Sequence, residues 1–290
     1  MFRQIYKKKK QLIIEFQKIY LCKMELQPIF EKLQIQDMNQ MQKSIYKASE
    51  NDTDVVLLSP TGSGKTLGFL FPVLRNLKSD VKGIQTLILV PARELALQIE
   101  QVFKSMGTDF KVSVAYGGHD KKIEINNLIE APAVLIGTPG RIAYHLKYEN
   151  FNPGTIKTLV LDEFDKALEL GFQEDMEYII GSLNGLSQRI LTSATVMDNI
   201  PKFVELNNEK TVNFLKENAA KPNIQLKKVM TTPEEKLNTL FQLICKIGNK
   251  RTLIFCNHRD AVDRISELLR EKGIHRETFH DGMEQAERER

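Results

Sequence analysis

Tryptophan is absent and cysteine is scarce, with three in 290 residues. Cys22, Cys245 and Cys256 are scattered without the spacing of metal ligands, which argues against a disulfide scaffold and a zinc site and leaves free thiols in a reducing compartment. No apolar run approaches the roughly 18 residues of a membrane span. The first residues also lack an apolar core followed by a small-residue cleavage site. No membrane association and a cytoplasmic location are therefore the expectations. Charge of one sign is not in large excess either: 41 basic and 37 acidic residues leave a net +4, compatible with a polyanionic partner without demanding one. There is no internal repeat of 20 to 50 residues, and the one biased tract is Lys7 to Lys10, in an N-terminal extension, residues 1–23, read as lying outside the core.

What is present is 42% hydrophobic residues, enough for a sizeable core, arranged in a repeating order. Short β-rich runs begin at Val55, Thr86, Val112, Val134, Thr158 and Arg189, and helical patterns separate them. Continuously apolar strands alternating with helices predict an α/β domain whose parallel sheet is covered on both faces. That domain is expected over 24–206, followed by a polar linker over 207–222 and a second α/β unit over 223–290. In the second unit, 252–256 and 277–280 read as strands and 260–272 as a helix ending at Gly273.

The first strand runs into Ser59-Pro60-Thr61-Gly62-Ser63-Gly64-Lys65-Thr66, and an apolar helix follows. Strand, glycine-rich loop and helix are the context of a phosphate-binding P-loop. Glycines let backbone N–H groups turn inward around phosphate oxygens, and the helix N-terminus adds the positive end of its dipole. Thr61, Gly62, Ser63 and Gly64 would form the cradle, Lys65 would neutralise the β and γ phosphates, and the Thr66 hydroxyl would ligate Mg²⁺. Position 59 is Ser where the common pattern has Gly. The competing reading is a Gly-Lys-Thr turn that only caps a helix.

A second apolar strand, ending at Leu161, delivers Asp162-Glu163 to the same end of the sheet. Asp162 suits the Mg²⁺ shell, partly through water, and Glu163 suits polarisation of an attacking water. Taken alone, the pair could equally be an acidic cap on the next helix, a role open also to Asp165.

With these motifs in place, the sequence over about residues 28–290 resembles the DEAD-box family of ATP-dependent RNA helicases, within helicase superfamily 2. Asp162-Glu163-Phe164-Asp165 stands where the family's namesake tetrad falls, and Ser193-Ala194-Thr195 matches its Ser-Ala-Thr motif. Pro91-Ala92-Arg93-Glu94, Gly117-Gly118 and Thr138-Pro139-Gly140-Arg141 look like the RNA-contacting motifs of the family's first domain. The resemblance implies a RecA-like doubly wound parallel sheet followed by a partial second RecA-like domain. It implies ATP and Mg²⁺ as cofactors, RNA bound without sequence preference as partner, and a monomer; it identifies no protein partner. Arg93 and Arg141 would then pair with RNA phosphates, and Gly117, Gly118 and Gly140 would admit the sugar-phosphate chain. Asp165, Ser193 and Thr195 would couple the nucleotide site to RNA-driven closure. Gln42 resembles the family's adenine-contacting glutamine, although Met38 stands where proline is common.

In the second unit His280-Asp281-Gly282 leads to Gln285 and Arg288, which match a Gln-x-x-Arg pair that touches RNA in the family. The family's later arginines, which reach the γ-phosphate across the cleft, have no counterpart up to Arg290, so the 290-residue chain alone is expected to be a feeble ATPase. Phe164 departs from the family's alanine, and its ring has to be accommodated beside the Ser193–Thr195 segment. Two alternatives stay open at this point: a nucleotide-regulated RNA-binding module with little catalysis, and a DNA-directed helicase of the same superfamily.

Overall fold

A computed structural model describes residues 26–118, 120–197, 199–215, 225–280 and 282–283. The chain divides into two compact units, residues 1–220 and 221–290.

The first unit is one parallel sheet of seven strands: β1 (Val55–Leu58), β2 (Thr86–Leu89), β3 (Val112–Ala115), β4 (Val134–Gly137), β5 (Thr158–Leu161), β6 (Gln188–Ser193) and β7 (Lys210–Asn213). Their order across the sheet is β3-β4-β2-β5-β6-β1-β7, and every pairing is parallel. Its helices include α1 (Gln40–Ala48), α2 (Lys65–Asn76), α3 (Arg93–Ser105), α4 (Lys121–Ile129), α5 (Pro139–Lys147), α6 (Phe164–Glu169) and α7 (Gln173–Ser182).

Successive side chains of a strand point to opposite faces, so a strand covered on both sides must be apolar at every position. Val55 and Leu57 join a core with Met41, Ile45, Phe69 and Phe103, under α1, α2 and α3. Val56 and Leu58 join the opposite core, with Ile142, Phe164, Met176 and Ile179 from α5, α6 and α7. The expected doubly wound α/β architecture is what the chain forms.

The linker expected over 207–222 needs correction at its start. Lys210–Asn213 pairs with β1 as an edge strand. Asp54 explains the attachment: its carboxylate accepts the N–H of Arg189 at 2.6 Å and of Asn207 at 2.8 Å, and its carbonyl accepts Lys210 N–H at 2.9 Å. One buried acid thus ties β1, β6 and the approach to β7 together. The strand escaped notice in the sequence because its exposed residues, Lys210, Thr211 and Asn213, are polar, as an edge permits.

In the second unit the described residues hold α8 (Lys236–Ile247) and α9 (Arg259–Glu271). Lys272 lies over the Phe241 ring, 5.5 Å from its centroid, and Leu269 is buried. The helix expected over 260–272 is present, with Gly273 beyond it at φ +72°. The strands expected over 252–256 and 277–280 are not formed. A strand exists by pairing, and no ladder partner for either segment occurs among the described residues; Leu253 and Phe255 are 84% and 90% exposed. Gln285 and Arg288 lie outside the described residues, as do the N-terminal extension 1–23 and residues 216–222 of the expected linker.

Candidate nucleotide site and polyanion-binding edge

The loop expected to bind phosphate leaves β1 and enters α2. Gly64 is the residue before that helix and adopts φ +89°, a left-handed conformation that a side chain would strain. A Cβ there would also lie 2.7 Å from Gln42 Nε2. No side chain caps α2, so the N–H groups of its first turn are left to bind an anion from outside. Lys65 is buried, with its Nζ donating to Ser59 carbonyl at 3.1 Å, while Thr61 and Gly62 are exposed at the loop's tip and Ser63 and Thr66 are half-buried. Ser59 is fixed from two sides. Its N–H donates to Ser193 carbonyl at 3.0 Å, and its hydroxyl donates to Ser63 Oγ at 2.6 Å.

Gln42 reaches this loop from α1. Its Nε2 donates to Gly64 carbonyl at 3.2 Å and its Oε1 accepts Asn39 N–H at 2.8 Å. Asn39 returns the favour by accepting Gln42 N–H at 2.9 Å, a capping box, and donates to Ser63 carbonyl at 3.0 Å. Each end of the Gln42 amide thus makes one hydrogen bond inside the protein, out of the two that its NH₂ can donate and the two that its oxygen can accept. Phe30 sits in the core, edge-on to Phe71 at 5.8 Å between centroids.

Asp162 and Glu163 follow β5, with β6 between β5 and β1. Thr192, on β6, donates to Asp162 Oδ1 at 2.5 Å and accepts Glu163 N–H at 3.2 Å. Burial pushes the Asp162 carboxyl above the usual carboxylate range, and the Thr192 hydrogen bond and the charge of Lys65 pull it back down. Glu163 holds φ +49°, ψ +48°, a backbone strain of roughly 1–2 kcal/mol at the strand-to-helix turn. Asp165 Oδ2 accepts the Thr195 hydroxyl at 2.8 Å, while Ser193 Oγ accepts Thr195 N–H at 3.0 Å. The three expected coupling residues are therefore joined. Asp165 Oδ1 is buried without a hydrogen-bond partner among the described residues. Phe164 is fully buried in the core beside Phe203, 6.5 Å between ring centroids, so the bulk that replaces alanine is absorbed there.

The expected RNA-facing residues leave the other half of the sheet. Pro91 and Arg93 follow β2, Gly117 and Gly118 follow β3, and Thr138 to Arg141 follow β4. Neighbouring ends are tied by Val90 N–H to Gly137 carbonyl at 3.0 Å and Thr138 N–H to Ala115 carbonyl at 3.1 Å. A Cβ on Gly117 would meet nothing within 4 Å, so open space faces that turn; at Gly140 it would lie 3.4 Å from Asp175 Oδ2. Arg93 pairs with Glu94 at 3.0 Å. Arg141, expected to pair with RNA phosphates, is buried, donating from Nε to Tyr116 carbonyl at 3.1 Å and lying 3.4 Å from Glu124.

Thr192, Asn39, Glu124 and His145 were not singled out in the sequence. An Asn-x-x-Gln pattern before a helix, and a polar residue inside the apolar β6, were the available signals for the first two. Glu124 and His145 acquire their meaning through contacts with residues distant in sequence.

The model of the DEAD/DEAH box helicase family matches residues 39–203, and that of the helicase conserved C-terminal domain matches 235–290. The DEAD-box ATP-dependent RNA helicase CshA of Geobacillus kaustophilus is 30% identical over 277 residues, which cover 94% of this chain and 59% of that protein. The ATP-dependent RNA helicase DeaD of Buchnera aphidicola is 32% identical over 241 residues, 81% of this chain and 40% of that one. The chain therefore spans between two fifths and three fifths of these relatives. Among solved structures, a DEAD box protein from the hyperthermophile Methanococcus jannaschii superposes with a TM-score of 0.55 at 29% identity, covering 86% of this chain and 68% of that one. Saccharomyces cerevisiae Dbp5 bound to RNA and ADP BeF3 does so at 0.77 and 22% identity, covering 91% and 69%; it shows the fold alone. With the first match spanning more than half of its residues, this chain belongs to the DEAD/DEAH box helicase family.

Proposed function

We propose that the chain is the ATP-binding and RNA-gripping part of an ATP-dependent RNA helicase, which hydrolyses ATP to unwind or remodel RNA. One observation supports this reading above the others. The sheet sorts two chemistries onto its two halves: phosphate loop, paired acids and Ser193 at the carboxyl ends of β1, β5 and β6, and the glycine- and arginine-bearing turns at the ends of β2, β3 and β4. Ligands of open α/β sheets collect along that rim.

The uncapped α2 N-terminus, the left-handed Gly64 and the buried Lys65 fit a triphosphate. The Thr66 hydroxyl and the Asp162 carboxylate are hard oxygen donors that fit Mg²⁺ held partly through water, and the metal's charge would offset that of the phosphates. Thr192 holds Asp162 in place, while the Glu163 carboxylate is the group suited to accept a proton from a water aligned with the γ-phosphate. Lys65 exchanges its bond with Ser59 for phosphate oxygens. The Asp165–Thr195–Ser193 chain then offers a route by which the nucleotide site senses the adjoining strand ends.

Selectivity for RNA follows from backbone contact with recognition of the 2′-hydroxyl. With a non-hydrolysable ATP analogue and Mg²⁺, the chain is expected to bind a single-stranded oligoribonucleotide at least about fivefold more tightly than the matching deoxyribonucleotide. Equal binding would favour a DNA-directed helicase, and stronger DNA binding would overturn the assignment.

A further inference from the structure

A buried polar cluster links the Gly117–Gly118 turn to the start of α5, and the function above gives it no role. Glu124, on α4, is 1% exposed. Its Oε1 accepts Tyr116 N–H at 3.0 Å; its Oε2 lies 2.8 Å from His145 Nε2 and 3.4 Å from Arg141 Nη1. Arg141 in turn donates to Tyr116 carbonyl at 3.1 Å. The backbone of Tyr116, the last residue before Gly117, is thus held through both its N–H and its carbonyl, one on each side of its Cα. His145 is fully buried, with Nδ1 3.0 Å from Asn150 Nδ2, an arrangement in which Nδ1 accepts from the amide and the Nε2 hydrogen goes to Glu124.

Burying a carboxylate, a guanidinium and an imidazole costs desolvation that well-packed apolar residues of similar volume avoid, so stability gives little reason for the cluster. What it fixes and an apolar trio would not is direction. It sets where the chain enters the Gly117–Gly118 turn and how that turn stands relative to Thr138–Arg141. The Arg93 guanidinium lies 5.9 Å from the centroid of the Tyr116 ring, so the third turn of the edge leans on the same residue.

We propose that Glu124 and His145 are positioning residues for the RNA-facing edge. Glu124 draws Arg141 inward as a brace on Tyr116, and Arg141 gives its charge to that brace and not to an RNA phosphate. This rests on the RNA-binding reading above.

The test measures affinity of the full 290-residue chain for a labelled single-stranded RNA across a salt series, beside its affinity for a fluorescent ATP analogue. Glu124→Ala is expected to weaken RNA binding by at least roughly tenfold while nucleotide affinity stays within about twofold. Where Glu124→Ala fails to fold, Glu124→Gln keeps the volume and the acceptor for Tyr116 N–H, and shows the same split at roughly threefold. Arg141→Gln weakens RNA binding but keeps the wild-type slope of log affinity against log salt. A slope shallower by about 0.7 would mean a lost phosphate contact and would overturn the proposal. Unchanged RNA affinity in the Glu124 variants would overturn it too. Should the wild-type chain bind no RNA, the functional reading fails by itself, and amide exchange decides the brace. Exchange at residues 116–118 at least roughly tenfold faster in Arg141→Gln supports it, and unchanged exchange sinks it.

Discussion

Asp162 occupies a place that opposes its own charge. Burial raises its carboxyl, so the folded chain holds a proton at pH values where the unfolded chain has released it. Stability therefore falls as pH rises from the ordinary aspartate value through the raised one, and the penalty is fully present above it. Asp162→Asn removes that penalty while its amide oxygen can still accept the Thr192 hydroxyl. Without nucleotide, the variant is expected to melt at a higher temperature than wild type near neutral pH, with the gain shrinking as pH falls from the raised value toward the ordinary aspartate value of about 4 and lost below it. Thermal melts across pH check this, and a lower melting temperature for the variant at neutral pH would contradict it. The same substitution should abolish Mg²⁺-dependent ATP hydrolysis, which is how a site sacrifices stability for chemistry. Asn39 offers a second test at this scale. It caps α1 and also supports Ser63 of the phosphate loop. Asn39→Ala is expected to cost about 1 kcal/mol in urea unfolding and to weaken ATP-analogue binding; loss of stability with full nucleotide affinity would restrict Asn39 to capping.

At the scale of elements, the six other strands were legible because each carries an apolar run covered by helices, which the few polar residues within them, such as Ser113 and Thr192, do not mask. β7 was not, since Lys210, Thr211 and Asn213 face solvent at the edge. Its place depends on Asp54, whose partners Arg189 and Asn207 lie more than a hundred residues away in sequence. Asp54→Ala should therefore cost about 2 kcal/mol and speed amide exchange over 207–213 more than over β5. Uniform acceleration would mean that β7 is not locally pinned. The site divides in the same way. The placement of the Ser59–Thr66 loop between β1 and α2, and of Asp162 at the end of β5, could be read from strand, loop and helix order, because each lies in one contiguous stretch. The burial of Arg141 could not, since its environment is made by Glu124 and Tyr116 from other elements. The expected strands at 252–256 and 277–280 failed for a related reason, since an apolar run acquires strand geometry only when a neighbour completes the ladder.

For the whole molecule, the account depends on the first unit being a nucleotide switch whose phosphate site and RNA edge share one sheet. The Ser59 N–H bond to Ser193 and the Asp165–Thr195 bond make the P-loop, the acids and the end of β6 one connected assembly. Nucleotide binding is the step on which the rest depends. The most direct measurement is titration of the chain with a fluorescent ATP analogue, with Mg²⁺ and with EDTA, for wild type and Lys65→Ala. The account predicts Mg²⁺-dependent binding by wild type and at least about tenfold weaker binding by Lys65→Ala, with both proteins giving the same circular dichroism spectrum. Equal affinity of the two proteins, or binding indifferent to removal of Mg²⁺, would contradict it.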